Sequence, residues 1–409
     1  MLAFLRSHPL FLRFWMSMWS SELGDWIRNM TLMYMVLDLS DGSGVAVSIN
    51  MFCEFAPIFL FAPLVGVFAD RWRRKVTIIG AFWFRALMVI EFILALHYES
   101  LLMIYIGAFL CAIGTLFFRA PGNAFTMQMV EPENRKTAAT LRQISTSSLA
   151  LIGAPLGTLL FSWVGGEVAL GATVVLFLIG SLLVTSIRVE EPASQAQRGV
   201  QAVLNDLKSG FVFTAQHPIL RPLMISMLFC ALGAGVVNVL SVFVITEYLG
   251  LPQEWYSMIA TIQGAGMLVA SLSLGKIKIS TERMVPYGLM LIGSGLFVMV
   301  VVPMIFTTAA GLLILAIGQI LLNIGVATLM QTKVDYAYQG RVSMIGSMTF
   351  NGGLVTAMLL SGWLHETIAV QTMFRGGGAL ILFAGVMALM LMMRAFQMTE
   401  KQEQATVKG

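Results

Sequence analysis

Seven ionisable side chains interrupt stretches that are otherwise apolar. They are Glu22, Asp25 and Arg28 within 14–37, Glu54 within 46–69, Arg85 and Glu91 within 76–97, and Arg119 within 102–128. A charge in hydrocarbon is expensive, so such residues mark a bundle interior, a water-filled path or a paired partner. Carboxylates set beside arginines can exchange protons. Desolvation favours the neutral acid and a nearby guanidinium favours the carboxylate, so their balance decides when a proton leaves. Structural ion pairing and ligand recognition are the other two readings, and the sequence does not choose among Glu22, Asp25, Glu54 and Glu91. On a helix, at about 100° per residue, Glu22, Asp25 and Asn29 fall within about 60° of one another. Arg28 follows Asp25 at i,i+3, within reach for an ion pair. Asp25 lies about 16 Å from the start of its segment at 1.5 Å per residue, close to mid-depth. The second half of the chain has almost no charge away from segment ends, with Glu247 closing one segment and Arg375 early in the last, so any chemistry needing buried charge is expected in the first half.

Other chemistries find no support. Cys53, Cys111 and Cys230 are odd in number and lack paired spacing, which argues against a disulfide framework or zinc site. His8, His97, His217 and His365 are scattered, so no metal site is expected. No glycine loop that could cradle a nucleotide is present, so neither cofactor nor enzyme activity is expected, and energy must come from an ion gradient or the substrate's own gradient. Nucleic acid is not an expected partner. The chain is rich in large adaptable side chains, with 27 Phe, 8 Trp and 29 Met. Trp15, Trp19, Trp26, Trp83, Phe117 and Phe118 would suit an apolar cavity, with Trp26, Asn29 and Trp83 as the substrate-cavity candidates. Packing or lipid contact is the alternative for each.

These residues must be held by helices in lipid. The chain is 58% hydrophobic and 11% charged, with a mean hydropathy of +0.84. Soluble domains carry about 25% charged residues, so this chain cannot coat itself for water. A span needs about 20 mostly apolar residues. Polar breaks give spans at 14–37, 46–69, 76–97, 102–128, 138–164 and 169–187, then 219–246, 254–275, 284–305, 310–332, 342–364 and 371–393. The first is expected to be part of the bundle rather than a cleaved signal, because it has no small-residue cleavage site and carries polar residues at 22–29. The expected fold is an all-α membrane protein of twelve transmembrane helices in two pseudo-symmetric six-helix bundles. Its expected parts are 1–188, a cytoplasmic linker at 189–217 containing Glu190, Glu191 and Arg198, and 218–409. Ala112-Ile113-Gly114 recurs as Ala316-Ile317-Gly318, a short echo between the halves.

One connection is more specific than the rest: Gly66-Val67-Phe68-Ala69-Asp70-Arg71-Trp72-Arg73-Arg74-Lys75. It resembles the signature loop of the major facilitator superfamily, which reads glycine, three residues, aspartate, arginine, one residue, glycine and two basic residues. Gly66, Asp70, Arg71, Arg74 and Lys75 match, while Arg73 replaces the second glycine. Within that superfamily the chain is similar to the drug-exporting branch of macrolide-efflux carriers and the enterobactin exporter. The resemblance rests on Ala62-Pro63-Leu64-Val65-Gly66, on Arg119-Ala120-Pro121-Gly122-Asn123-Ala124 with Glu131-Pro132-Glu133, and on Tyr338-Gln339-Gly340-Arg341-Val342. Gly153-Ala154-Pro155-Leu156-Gly157 only partly matches the antiporters' glycine-proline stretch, and Arg119 lies nearer the inner end than their fourth-span arginine, leaving Arg85 as its competitor.

The resemblance implies a secondary active carrier of the bacterial inner membrane that exports an amphipathic small molecule by alternating access in exchange for protons. Transport of lysophospholipid or another lipid, or of a siderophore, is the alternative. The proton-coupling candidates are Asp25, Glu22, Arg28, Glu54, Arg85, Glu91 and Arg119, and the loop acts as the conformational switch. The expected partners are substrate, protons and membrane lipids, and the expected state is a monomer. Basic residues favour the cytoplasmic side. Arg71, Arg73, Arg74, Lys75, Arg135, Lys136, Arg188, Lys208, Lys276, Lys278 and Arg283 all fall on the side of the N-terminus, whereas the alternate connections contain none. Both termini are therefore expected to be cytoplasmic. Single cysteines at Asp41, Glu167 or Thr367 should react with an impermeant reagent from outside, and those at Arg73, Asn205 or Ser280 only from inside. External labelling at position 205 would overturn both the orientation and the six-plus-six division.

Overall fold

The computed structural model describes residues 2–189, 200–274, 279–334 and 336–408. Almost every described segment is helical, because backbone amides in an apolar medium must be satisfied within the segment itself. A short α1 (Leu2–Ser7) precedes α2 (Pro9–Leu39), α3 (Gly44–Arg71), α4 (Arg74–His97), α5 (Leu101–Met129) and α6 (Arg135–Thr185). Then come α7 (Val200–Gln216), α8 (Leu220–Phe243), α9 (Trp255–Leu274), α10 (Thr281–Met299), α11 (Ile305–Lys333), α12 (Tyr336–His365) and α13 (Val370–Lys408). Side-chain caps mark two of the polar breaks. Ser43 accepts from the backbone N–H of Ala46, and Ser100 accepts from that of Met103.

The break expected at 165–168 takes an economical form. α6 is two helical limbs that meet at a kink with no loop between them: Gly165 has φ 82° and ψ 168° and turns the chain there. Only glycine adopts that backbone without strain. Among the described residues, eight stretches are long and apolar enough to cross a membrane. This does not reach the twelve expected, for two reasons. Both limbs of α6 fall in one stretch, 140–185, and α2, α9 and α10 lie outside the eight. In α2 the apolar run is interrupted by Glu22, Asp25 and Arg28.

The chain divides into two compact units, Met1–Val203 and Leu204–Gly409. Within the first, α2 packs on α6, α3 on α5, and α4 on both α5 and α6. Within the second, α8 packs on α12 and α13, α9 on α11, and α10 on both α11 and α13. With the two limbs of α6 set against α12 and α13, the two contact patterns correspond helix for helix. The unit boundary falls inside the expected linker, and α7 belongs by its contacts to the second unit. Asp206 pairs with Arg341 at 2.8 Å, and the Phe213 and Tyr338 rings stack at 4.4 Å. Glu190, Glu191 and Arg198 of that linker, and Lys276 and Lys278 after α9, lie outside the described residues.

In the second unit α10 and α11 approach closely through small residues. A Cβ on Gly318 would lie 2.7 Å from the Gly288 carbonyl oxygen, and one on Gly288 2.7 Å from the backbone nitrogen of Leu322. Small residues permit such backbone contact, from which helices in lipid draw their packing energy. Gly318→Val should lower the thermal midpoint in detergent by several degrees, whereas Gly376→Ala, which meets nothing within 4 Å, should leave it unchanged. Equal midpoints for the two variants would refute the close approach.

Candidate functional site

The site assembles around one carboxylate on α2. Arg85 of α4 places Nη2 2.5 Å from Asp25 Oδ1, and Arg28 places Nη1 2.9 Å from the same oxygen. The two arginines are then held by different neighbours. Arg85 donates from Nη1 to Ser21 Oγ at 2.8 Å, and its guanidinium carbon lies 4.1 Å from the centre of the Phe177 ring on α6. Phe118 of α5 flanks it at 5.6 Å. Arg28 donates from Nη2 to Asn29 Oδ1 at 2.7 Å and from Nη1 to Cys111 Sγ at 2.9 Å. Arg85 is wholly buried, Arg28 is 7% exposed and the Asp25 side chain 15%. Four helices therefore converge on Asp25, and the small side of α2 makes room for them: a Cβ on Gly24 would meet the Phe177 ring at 2.7 Å.

Asp25 is reached from a cavity of about 260 Å³. Glu22, Arg119, Asn123, Arg142 and Thr146 line it, with Phe14 and Phe118 as its apolar walls. Thr146 donates weakly to Glu22 Oε2 at 3.4 Å, and Arg142 donates to Asn123 Oδ1. The cavity thus carries two carboxylates and two guanidiniums besides the buried Arg85 and Arg28. Water admitted here would lie against the only route from solvent-sized space to Asp25 among the described cavities.

The remaining sequence candidates are placed differently. Glu54 sits on α3 and accepts from Asn50 Nδ2 at 3.4 Å. Glu91 lies further along α4, facing the position of Gly107 on α5, with Oε2 buried and without a hydrogen-bond partner. Among the described residues neither glutamate forms an ion pair with an arginine or lysine, unlike Asp25. Trp26 packs across Gly153 of α6, Asn29 holds Arg28, and Trp83 is 58% exposed on α4. In the loop after α3, Trp72 stacks on Phe117 at 5.6 Å and Lys75 donates to the Thr185 carbonyl at 2.9 Å. The side chains of Gly66, Asp70 and Arg71 lie outside the described residues.

The second unit contains a cavity that a search for charges does not find. It measures about 470 Å³ and is lined by Asn238, Gln263, Gln319, Asn323, Asn351 and Ser347, over a floor that includes Leu296 and Leu315. Its signal in the sequence is a set of amides inside apolar helices, polar groups that carry no charge.

Comparison with known proteins gives a consistent result. The family described as Major Facilitator Superfamily matches residues 14–351. The chain is 25% identical to the MFS-type transporter YkuC of Bacillus subtilis, itself uncharacterized, over 91% of this chain and 90% of that one. It is 24% identical to macrolide efflux protein A of Streptococcus pyogenes over 86% of this chain and 88% of the relative. Among solved structures, the nucleoside transporter NupG aligns with a TM-score of 0.70 at 15% identity, covering 95% of this chain and 99% of that one. A bacterial homologue of the iron transporter ferroportin, in its inward-facing state, aligns with a TM-score of 0.73 at 12% identity, covering 95% and 98%. At such identities the structural likeness speaks for the fold alone.

Removing one partner of a buried ion pair strands the other and costs about 3–5 kcal/mol, whereas removing both costs less. Asp25→Asn strands two guanidiniums and should therefore destabilise the protein in detergent, and adding Arg85→Gln should restore part of the loss. The expected coupling between the two substitutions exceeds about 1 kcal/mol. Strict additivity in the folded variants would show that the 2.5 Å contact carries no energy.

Proposed function

The chain belongs to the Major Facilitator Superfamily, and from that premise we propose that it exports an amphipathic small molecule in exchange for protons, by alternating access between its two units. The family is one of transporters rather than enzymes, and the chain is a multi-pass membrane protein. Twelve crossings, with both termini in the cytoplasm of a bacterium, complete the reading. The relatives named for macrolide efflux support export of a bulky amphiphile. The observation that carries proton exchange is Asp25, one carboxylate shared by two buried arginines at the edge of a polar cavity.

In this mechanism a proton from outside binds Asp25 and removes the charge that ties α4 to α2. Arg85 keeps its own charge, which the Phe177 face and Ser21 continue to hold. The released helices adopt the other arrangement, substrate exchanges, and Asp25 returns its proton on the inner side as the ion pair reforms. Glu22 and Arg119 in the cavity set the local field along the proton's route. The loop with Gly66, Asp70, Arg71, Arg74 and Lys75 acts as the latch between the two arrangements, away from the substrate.

The deciding measurement is substrate-induced proton release from purified protein with a macrolide as probe. Wild type should release protons. Asp25→Asn should not, while retaining binding. Glu22→Gln should weaken release, and Glu54→Gln and Glu91→Gln should leave it largely intact. Asp70→Asn should keep affinity and slow turnover. Unchanged release in a folded Asp25→Asn variant would remove Asp25 from coupling. No release by wild type with a transported substrate would replace proton exchange by facilitated diffusion.

A further inference from the structure

Resting on the transport reading, the cavity of the second unit narrows the substrate class. We infer that it is a binding subsite for an uncharged, hydroxyl-bearing group, such as the head of an alkyl glycoside. Three amides establish its polarity. Asn238 donates from Nδ2 to the Ala234 carbonyl at 2.9 Å, and Asn351 donates from Nδ2 to the Ser347 carbonyl at 2.8 Å and to Ser347 Oγ at 3.1 Å. A backbone carbonyl only accepts, so each amide must turn its nitrogen toward its own helix and its oxygen away from it. Gln319 Oε1 is buried with no hydrogen-bond partner. The cavity therefore presents amide oxygens, which accept, and one of them lacks a donor.

A ligand that satisfies this surface must donate hydrogen bonds. Ammonium groups and hydroxyls both do so, but they differ in what else they require. Among the described residues no Asp or Glu lines the cavity, and its floor is apolar. A cation placed there would lose its water without gaining a counter-charge. A hydroxyl brings a donor at no such penalty and also accepts, which suits Gln263 and Asn323 on the same wall. A volume of about 470 Å³ is within the range that holds a small-molecule ligand. Gln319 on α11 is the selective element, because an apolar head would leave its oxygen permanently orphaned.

The test compares two amphiphiles with the same alkyl chain, one an uncharged glucoside and one a primary ammonium, which donates hydrogen bonds but carries charge. Binding is measured to full-length protein in nanodiscs prepared without glycoside detergent. The glucoside should bind at least about tenfold more tightly. Gln319→Leu should weaken glucoside binding by about tenfold, the loss of roughly one net hydrogen bond, and leave the ammonium compound unaffected. Asn351→Leu, read in the same way, covers the case in which Gln319→Leu fails to fold. Tighter binding of the ammonium compound, or unchanged glucoside affinity in both folded variants, would overturn the inference. The outcomes separate from those of the transport reading. Glucoside binding without any substrate-driven transport would sink that reading alone, and proton-coupled transport of a cation with no glucoside binding would sink this one alone.

Discussion

The first unit is organised by one electrostatic constraint: an aspartate and two arginines that cannot be left alone in hydrocarbon. A single carboxylate oxygen takes both guanidiniums, leaving a net positive charge that the surroundings must absorb. They do so with an aromatic face, a hydroxyl, an amide oxygen and a thiol from helices α2, α5 and α6, around Arg85 of α4. Every one of these partners requires a particular rotation of its helix, so the register of four helices is tied to Asp25. The packing is correspondingly tight at Gly24 and Gly153, where a Cβ would overlap Phe177 and Trp26. Breaking such a cluster is costly only when one partner is stranded.

The part of this cluster that lies along one helix was legible in the sequence. Helical periodicity put Asp25, Arg28 and Asn29 side by side, because i,i+3 and i,i+4 neighbours follow from 3.6 residues per turn. Arg85 was visible as an expensive residue and a candidate partner for Asp25 beside Arg28, but 60 residues and the whole of α3 separate the two, so spacing alone did not fix the contact. Nothing local encodes which of several buried charges meet across a bundle. For the same reason Glu91 and Asp25 looked equivalent in sequence, although one faces a glycine on α5 and the other holds two arginines. At the level of fold, the polar breaks located most helix ends. The count of crossings was harder, because the charges at 22–28 lower the apolarity of α2, and because the two limbs of α6 meet at Gly165 with no loop between them.

The amide cavity was missed for a different physical reason. A search for charge follows the largest desolvation penalty, and amides carry a smaller one that apolar neighbours conceal in any averaged hydropathy. Five helical amides around one space become conspicuous only when the helices are folded together. The contact patterns of the two units match, so the fold does not explain why one interior holds ions and the other amides. The difference lies in side chains alone, on a shared framework.

That difference has a mechanical consequence. A buried ion pair changes its energy by several kcal/mol when a proton arrives, whereas a wall of neutral amides changes little. A conformational equilibrium responds only to differences in free energy between its states. A proton bound in the first unit is therefore able to bias the equilibrium of the whole protein. A neutral ligand held by the second unit biases it only through hydrogen bonds made in one state and lost in the other, typically about 1 kcal/mol apiece. A few such bonds can match the energy of one protonation step without any charge entering the second unit. The proposed exchange of a proton for an uncharged amphiphile rests on placing the large, switchable interaction in one unit and several small, selective ones in the other.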